Sequence, residues 1–241
     1  MDFIEQEDSR HYSYGIGHMQ QFSFQQQGAF FHTPRITWAV QMLILVNAAC
    51  FALQLIAYPF ETGLASSWLR LDMWFGFQPA AFLHGFLWMP FTYQFLHGGL
   101  LHLFMNMLWL FVFGPDVERL LGSRQFLFFY IACGALGVLA SLVPYLATGH
   151  GALIIGASGS TMGVLVAFAM IDPQRQFLLF PLPVPVTAVW LVILVVIFNI
   201  LMARSGNSGI SVATHFGGML AGGALMKGIP RYHSWRRSRR R

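Results

Sequence analysis

The stretch Leu153–Phe168, LIIGASGSTMGVLVAF, sets Ser158, Ser160 and Thr161 among Gly156, Gly159 and Gly163 at the head of an apolar run. Glycine weakens a helix, so its place beside buried hydroxyls needs a reason. A helix that starts at Ser158 and stops at Asp172-Pro173 has about fourteen residues and rises ~21 Å, short of the ~30 Å hydrocarbon core of a bilayer. Ser158 then lies roughly 10 Å below the outer surface. The preceding segment, Thr148–Ala157 (TGHGALIIGA), has to enter the membrane as non-helical backbone. That is tolerable only where protein or a water-filled cavity surrounds it.

Composition agrees with a chain built for lipid. Of 241 residues, 56% are hydrophobic and 10% charged, against roughly 25% charged in soluble proteins, and the mean hydropathy is +0.58. Six apolar runs follow one another: Trp38–Ala57, Phe95–Phe113, Phe126–Leu146, Ser158–Ile171, Val184–Ala203 and Val212–Met226. Turn signals at Pro115, Gly122, Asp172-Pro173 and Gly206 separate them. The expected fold is an all-α membrane protein, a six-transmembrane-helix bundle spanning 38–226, with a polar N-terminal tail (1–37) and a basic C-terminal tail (227–241). The glutamine-rich N-terminal tail reads as flexible and without a cleavable signal peptide. Six spans put both termini on one side, which holds most of the arginines, including Arg119, Arg124, Arg175 and Arg231; only Arg70 and Arg204 fall opposite. Positive residues stay cytoplasmic, so both termini are expected inside, most simply across the cell (inner) membrane. The net charge of +5 comes from the tail RYHSWRRSRRR, which after a spanning helix reads as a topology signal and a contact for anionic lipid, not as a nucleic-acid site. Cys50 and Cys133 sit in different helices and read as small apolar residues.

Polar side chains within spans are costly and therefore informative. His97, His102 and Asn106 fall on the second run, Ser158, Ser160 and Thr161 on the fourth, Asn199 on the fifth, Thr214 and His215 on the sixth. The even-numbered runs point the same way, so His102, Ser158 and His215 share the outer half of the bilayer. His102 and Asn106 are four apart, on one helix face. Gly218 and Gly222 follow His215 on its own face, and Gly159 and Gly163 follow Ser158; small-residue stripes of this kind let helices approach closely in lipid. Facing stripes bring the His215 imidazole to the Ser158 hydroxyl. A serine needs such a base to become a nucleophile, and the oxyanion it creates needs fixed donors. The N-terminus of the Ser158 helix, His102 and Asn106 can supply them. All nine acidic residues fall outside this depth, which leaves a Ser-His dyad opening to the extracytoplasmic side, with no triad carboxylate.

GASG with Ser158, HLFMN with His102 and Asn106, and HFGGMLAG with His215 resemble the signature segments of the rhomboid family of intramembrane serine proteases. The resemblance runs from about Trp88 to Gly223 and includes Gly114, Glu118, Gly122 and Tyr130. It implies cleavage of peptide bonds in or near transmembrane segments of other proteins, with Ser158 as nucleophile, His215 as base, and His102, Asn106 and the Ser158 backbone N–H as the oxyanion site. There are two departures: Trp88-Met89 stands where the family often has Trp-Arg, and Met162 stands where an aromatic commonly underlies the histidine ring. Met162 is expected under His215. His84, His97, His150, Asn199 and Thr214 read as structural polar groups, with His97 and His150 near the site's mouth.

Rival chemistries fit less well. Imidazoles at 97, 102 and 215 invite a metal, but no carboxylate or cysteine completes the set at that depth, and neither metal nor cofactor is expected. Proton-relay transporters place Asp or Glu within their spans; these runs have none. A soluble hydrolase elbow, G-x-S-x-G, fails at Ser160. The main alternative is an inactive rhomboid-like protein that binds membrane helices without cutting them.

Overall fold

The computed structural model describes residues 35–61, 71–178, 184–204 and 211–238. Most of the expected tail at 1–37, the basic residues at 239–241 and the segment 205–210, with its turn signal at Gly206, lie outside the described residues. The protein is mostly helical. Helix α1 (Trp38–Glu61) leads to the short helices α2 (Leu71–Phe75), α3 (Pro79–Leu83) and α4 (Met89–Thr92) and a 3-10 turn at Tyr93–Phe95. Then come α5 (Leu100–Leu121), α6 (Ser123–Leu139), α7 (Leu142–Thr148) and α8 (Ser158–Ile171). Strands β1 (Gln176–Leu178) and β2 (Pro185–Thr187) precede α9 (Ala188–Arg204), α10 (Val212–Gly228) and α11 (Pro230–Ser238). Among the described residues, three stretches are long and apolar enough to cross a membrane: Trp38–Ala57, Leu100–Leu121 and Ser123–Thr148. Ser158–Ile171 and Ala188–Arg204 are shorter apolar helices. Bulky apolar side chains face outward, Leu101 at 73% and Phe128 at 80% exposure, a surface suited to lipid and not to water.

α8 is the buried centre, with Val164, Leu165, Ala167 and Phe168 almost wholly enclosed. Its glycines set the spacing. A Cβ on Gly218 of α10 would lie 3.0 Å from Gly159 Cα, and one on Gly222 would lie 2.5 Å from Gly163 Cα, so the two backbones touch along the expected stripes. The starts of α5, α8 and α10 share one end of the bundle. At the other end Arg175 joins Asp116 and Asp172 at 3.4 and 3.1 Å, and Arg231 donates to the Leu121 carbonyl at 2.6 Å.

Several expectations are corrected. Helix α5 begins at Leu100 and runs through Pro115 to Leu121, so His97 lies before the helix and Pro115 does not end it. A proline removes one intrahelical bond. The turns beyond it are held from outside, because the Glu118 carboxylate accepts from Ala39 N and Val40 N at 2.9 Å each, from Thr37 Oγ1, and from Ser123 Oγ at 2.6 Å. The third run divides into α6 and α7 around Ala140–Ser141. The fifth opens with β2, which pairs antiparallel with β1 through Phe177 and Val186; this ribbon departs from an all-helical fold. Phe177 lies 5.2 Å from Phe113 and 5.6 Å from Phe168, centroid to centroid, closing the core at that end.

Candidate active site

Ser158 is the first residue of α8, where backbone N–H groups have no partner within the helix and the dipole favours negative charge. The loop before it is non-helical, as its glycines imply, and parts of its backbone are bonded to protein. Ile154 and Phe77 exchange both of their backbone hydrogen bonds at 2.9 Å, and Gly156 N donates to Tyr93 O at 3.0 Å. Gly156 holds φ +119°, which glycine tolerates, and a Cβ there would meet His102 Nε2 at 2.7 Å. Both facts require glycine. The loop thereby presses against His102 two residues before Ser158.

The His215 Nε2 lies 2.8 Å from Ser158 Oγ. Its Nδ1 lies 2.6 Å from Asn199 Oδ1 on α9. Gly98 N donates to His102 Nδ1 at 3.3 Å, so the His102 proton resides on Nε2, a donor on the face that meets Gly156. Asn106 is buried and donates from Nδ2 to the His102 carbonyl at 2.9 Å, using one of its two amide N–H groups. Ser160 and Thr161 turn away from this chemistry. Ser160 is fully buried and donates to Gln94 Oε1 at 2.8 Å, and Thr161 Oγ1 bonds the Ser158 carbonyl at 3.1 Å. Among the described residues no group of three or more His, Cys, Asp or Glu is placed to hold a metal.

The Rhomboid domain model matches residues 84–231, which contain His102, Asn106, Ser158, Asn199 and His215. The chain belongs to the rhomboid family. It is 30% identical over 148 residues to the rhomboid protease GluP of Bacillus subtilis, a match covering 60% of this chain and 27% of that protein. It is 36% identical over 133 residues to the mitochondrial rhomboid protein 1 of Saccharomyces cerevisiae, covering 53% of this chain and 38% of the relative. Over 91 residues it is 36% identical to the mitochondrial presenilin-associated rhomboid-like protein A of Danio rerio, covering 38% and 24%. The chain thus spans well under half the length of each of these relatives.

The remaining polar candidates of this rhomboid chain fall outside the Ser158–His215 contact. His84 and His150 are exposed, each with Nδ1 on a backbone carbonyl. Thr214 bonds Ser211 across 2.6 Å. His97 is buried against His102 at 5.2 Å between centroids. Met162 is buried in the main core, one turn along from Ser158. Met89, at the family's usual arginine position, is buried with Phe77, Tyr93 and Val138, so apolar packing holds the first loop, helped by Trp88 Nε1 donating to Trp74 O at 2.9 Å. Asn199 is the residue whose place at the site sequence reasoning misses. Its signal is a lone amide in an otherwise apolar helix.

Proposed function

We propose that this membrane-embedded rhomboid is an active intramembrane serine protease that hydrolyses peptide bonds in or near transmembrane segments of other membrane proteins. The observation that carries the reading is the 2.8 Å approach of His215 Nε2 to Ser158 Oγ at a helix N-terminus. Ser158 Oγ attacks the scissile carbonyl carbon while its proton passes to His215 Nε2. The resulting oxyanion is met by His102 Nε2–H, the second N–H of Asn106 and the Ser158 backbone N–H, donors worth roughly 3–4 kcal/mol each when removed. Collapse breaks the C–N bond, with the His215 proton going to the leaving amine. Water then attacks the acyl-enzyme with His215 again as base, releasing the acid and restoring Ser158. No cofactor takes part.

The same reading makes the bundle six spans with both termini cytoplasmic, in the cell (inner) membrane, and opens the site to the extracytoplasmic side, where water is at hand. The basic end, with Arg236 and Arg237 exposed on α11, meets anionic lipid headgroups. The test is a panel of doubly tagged single-span membrane proteins in liposomes with the purified protease. Paired fragments with the wild type, absent with Ser158→Ala, are expected. If no panel member is cut and a fluorophosphonate leaves the wild type unmodified, the protein is an inactive member that binds helices without cleaving them.

A further inference from the structure

We propose that Asn199 is the third member of a Ser158–His215–Asn199 triad, a positioning residue that sets the tautomer and plane of the catalytic base. The inference rests on the protease reading above and goes beyond its dyad.

The proton arrangement follows from donors and acceptors alone. Asn199 Nδ2 lies 2.8 Å from the Val195 carbonyl, which only accepts, so the amide nitrogen faces Val195 and Oδ1 faces His215. Oδ1 in turn only accepts, so His215 Nδ1, at 2.6 Å, carries the ring proton. That leaves the lone pair on Nε2, aimed at Ser158 Oγ at 2.8 Å, the one tautomer in which His215 can serve as base. Without the acceptor on Nδ1 the proton is free to sit on Nε2, and the dyad is then unproductive.

Asn199 is also hard to explain as ordinary lipid-facing sequence. The buried residues of α9 are Ala188, Leu191 and Asn199. The first two lie at its start, and Asn199 stands alone in the second half, between the exposed Phe198 and Ile200. An amide within an apolar span is costly unless it is bonded; this one spends its oxygen on the base. No Asp or Glu occurs in α8, α9 or α10, so no carboxylate on these helices can do the task. A neutral amide orients the imidazole without burying a charge in hydrocarbon. Among the described residues, the titratable group near enough to interact electrostatically with His215 is His102 of α5.

The test uses the whole protein in detergent, with a fluorophosphonate as probe. Asn199→Leu keeps the branched outline and heavy-atom count, at a somewhat larger volume, and removes the acceptor; Asn199→Asp keeps an acceptor. The maximal inactivation rate should fall about a hundredfold in Asn199→Leu, the order a misplaced catalytic group produces, with the half-saturating probe concentration unchanged. Asn199→Asp should recover to within about tenfold of wild type, because an oxygen again accepts from Nδ1. The 15N spectrum of His215 in histidine-labelled wild-type protein should show a protonated Nδ1 and an unprotonated Nε2, and this measurement decides even if a variant misfolds. A wild-type rate in Asn199→Leu, or a proton on Nε2, overturns the triad and leaves the protease reading standing. An unmodified wild type overturns both.

Discussion

At the scale of the residue, His215 is held from both ring nitrogens, by Ser158 and by Asn199. Met162, buried in the main core one turn along from Ser158, is proposed as a secondary support of the ring. Met162→Ala should cost about 2–5 kcal/mol of stability as a core truncation, while the turnover number falls by less than in Asn199→Leu. Thermal melting in detergent beside cleavage rates checks both halves. Ser160 gives the contrasting case. Its Oγ bonds Gln94 in full burial, so Ser160→Ala leaves a buried acceptor unpaired and should cost about 1–3 kcal/mol, with fluorophosphonate labelling retained. The approach of Ser158 to His215 is legible in the chain because glycine stripes on two helices announce a close crossing. The role of Asn199 is not, since a single amide in an apolar run does not say which way it turns; only the Val195 carbonyl and the packing of α9 decide that.

At the scale of the element, the Ser158–His215 geometry depends on how closely α8 and α10 approach. Gly222→Val should push the helices apart, since even a Cβ there meets Gly163 Cα at 2.5 Å, and a small misplacement of catalytic groups costs about a hundredfold in rate. Activity should therefore fall at least as far as melting temperature suggests, measured on protein that remains helical. The bounds of α8 are legible because its signals are local: hydroxyls and glycines at the head, Asp172-Pro173 at the end. The extent of α5 is not, because Pro115 and the charges after it resemble a stop, and the partner that keeps those turns helical is the start of α1. Glu118 accepts four bonds there and at Ser123. Glu118→Gln turns one acceptor oxygen into a donor facing donors, and should lower stability by about 1–3 kcal/mol while leaving the rate per folded molecule unchanged. Thermal unfolding and active-site titration with the fluorophosphonate separate the two.

At the scale of the whole molecule, composition alone separates a membrane chain from a soluble one, and the arginine distribution carries the proposed orientation. That orientation predicts that, in a background with Cys50 and Cys133 replaced, a membrane-impermeant maleimide added to intact cells labels His150→Cys and spares Ser238→Cys; the opposite pattern would invert the topology. The short inserts α2, α3 and the β1–β2 ribbon escape the sequence because they are too brief for periodicity to register, and they are held by tertiary contacts such as Phe77 with Ile154 and Phe177 with Phe168. What unites the scales is the proposed activation of one half-buried serine, Ser158, by a histidine on another helix. The most direct test treats the wild-type protein in liposomes with a fluorophosphonate and locates the adduct by mass spectrometry. The account predicts a single adduct on Ser158, lost in His215→Ala; an adduct on another residue, or one that persists in Ser158→Ala, would contradict it.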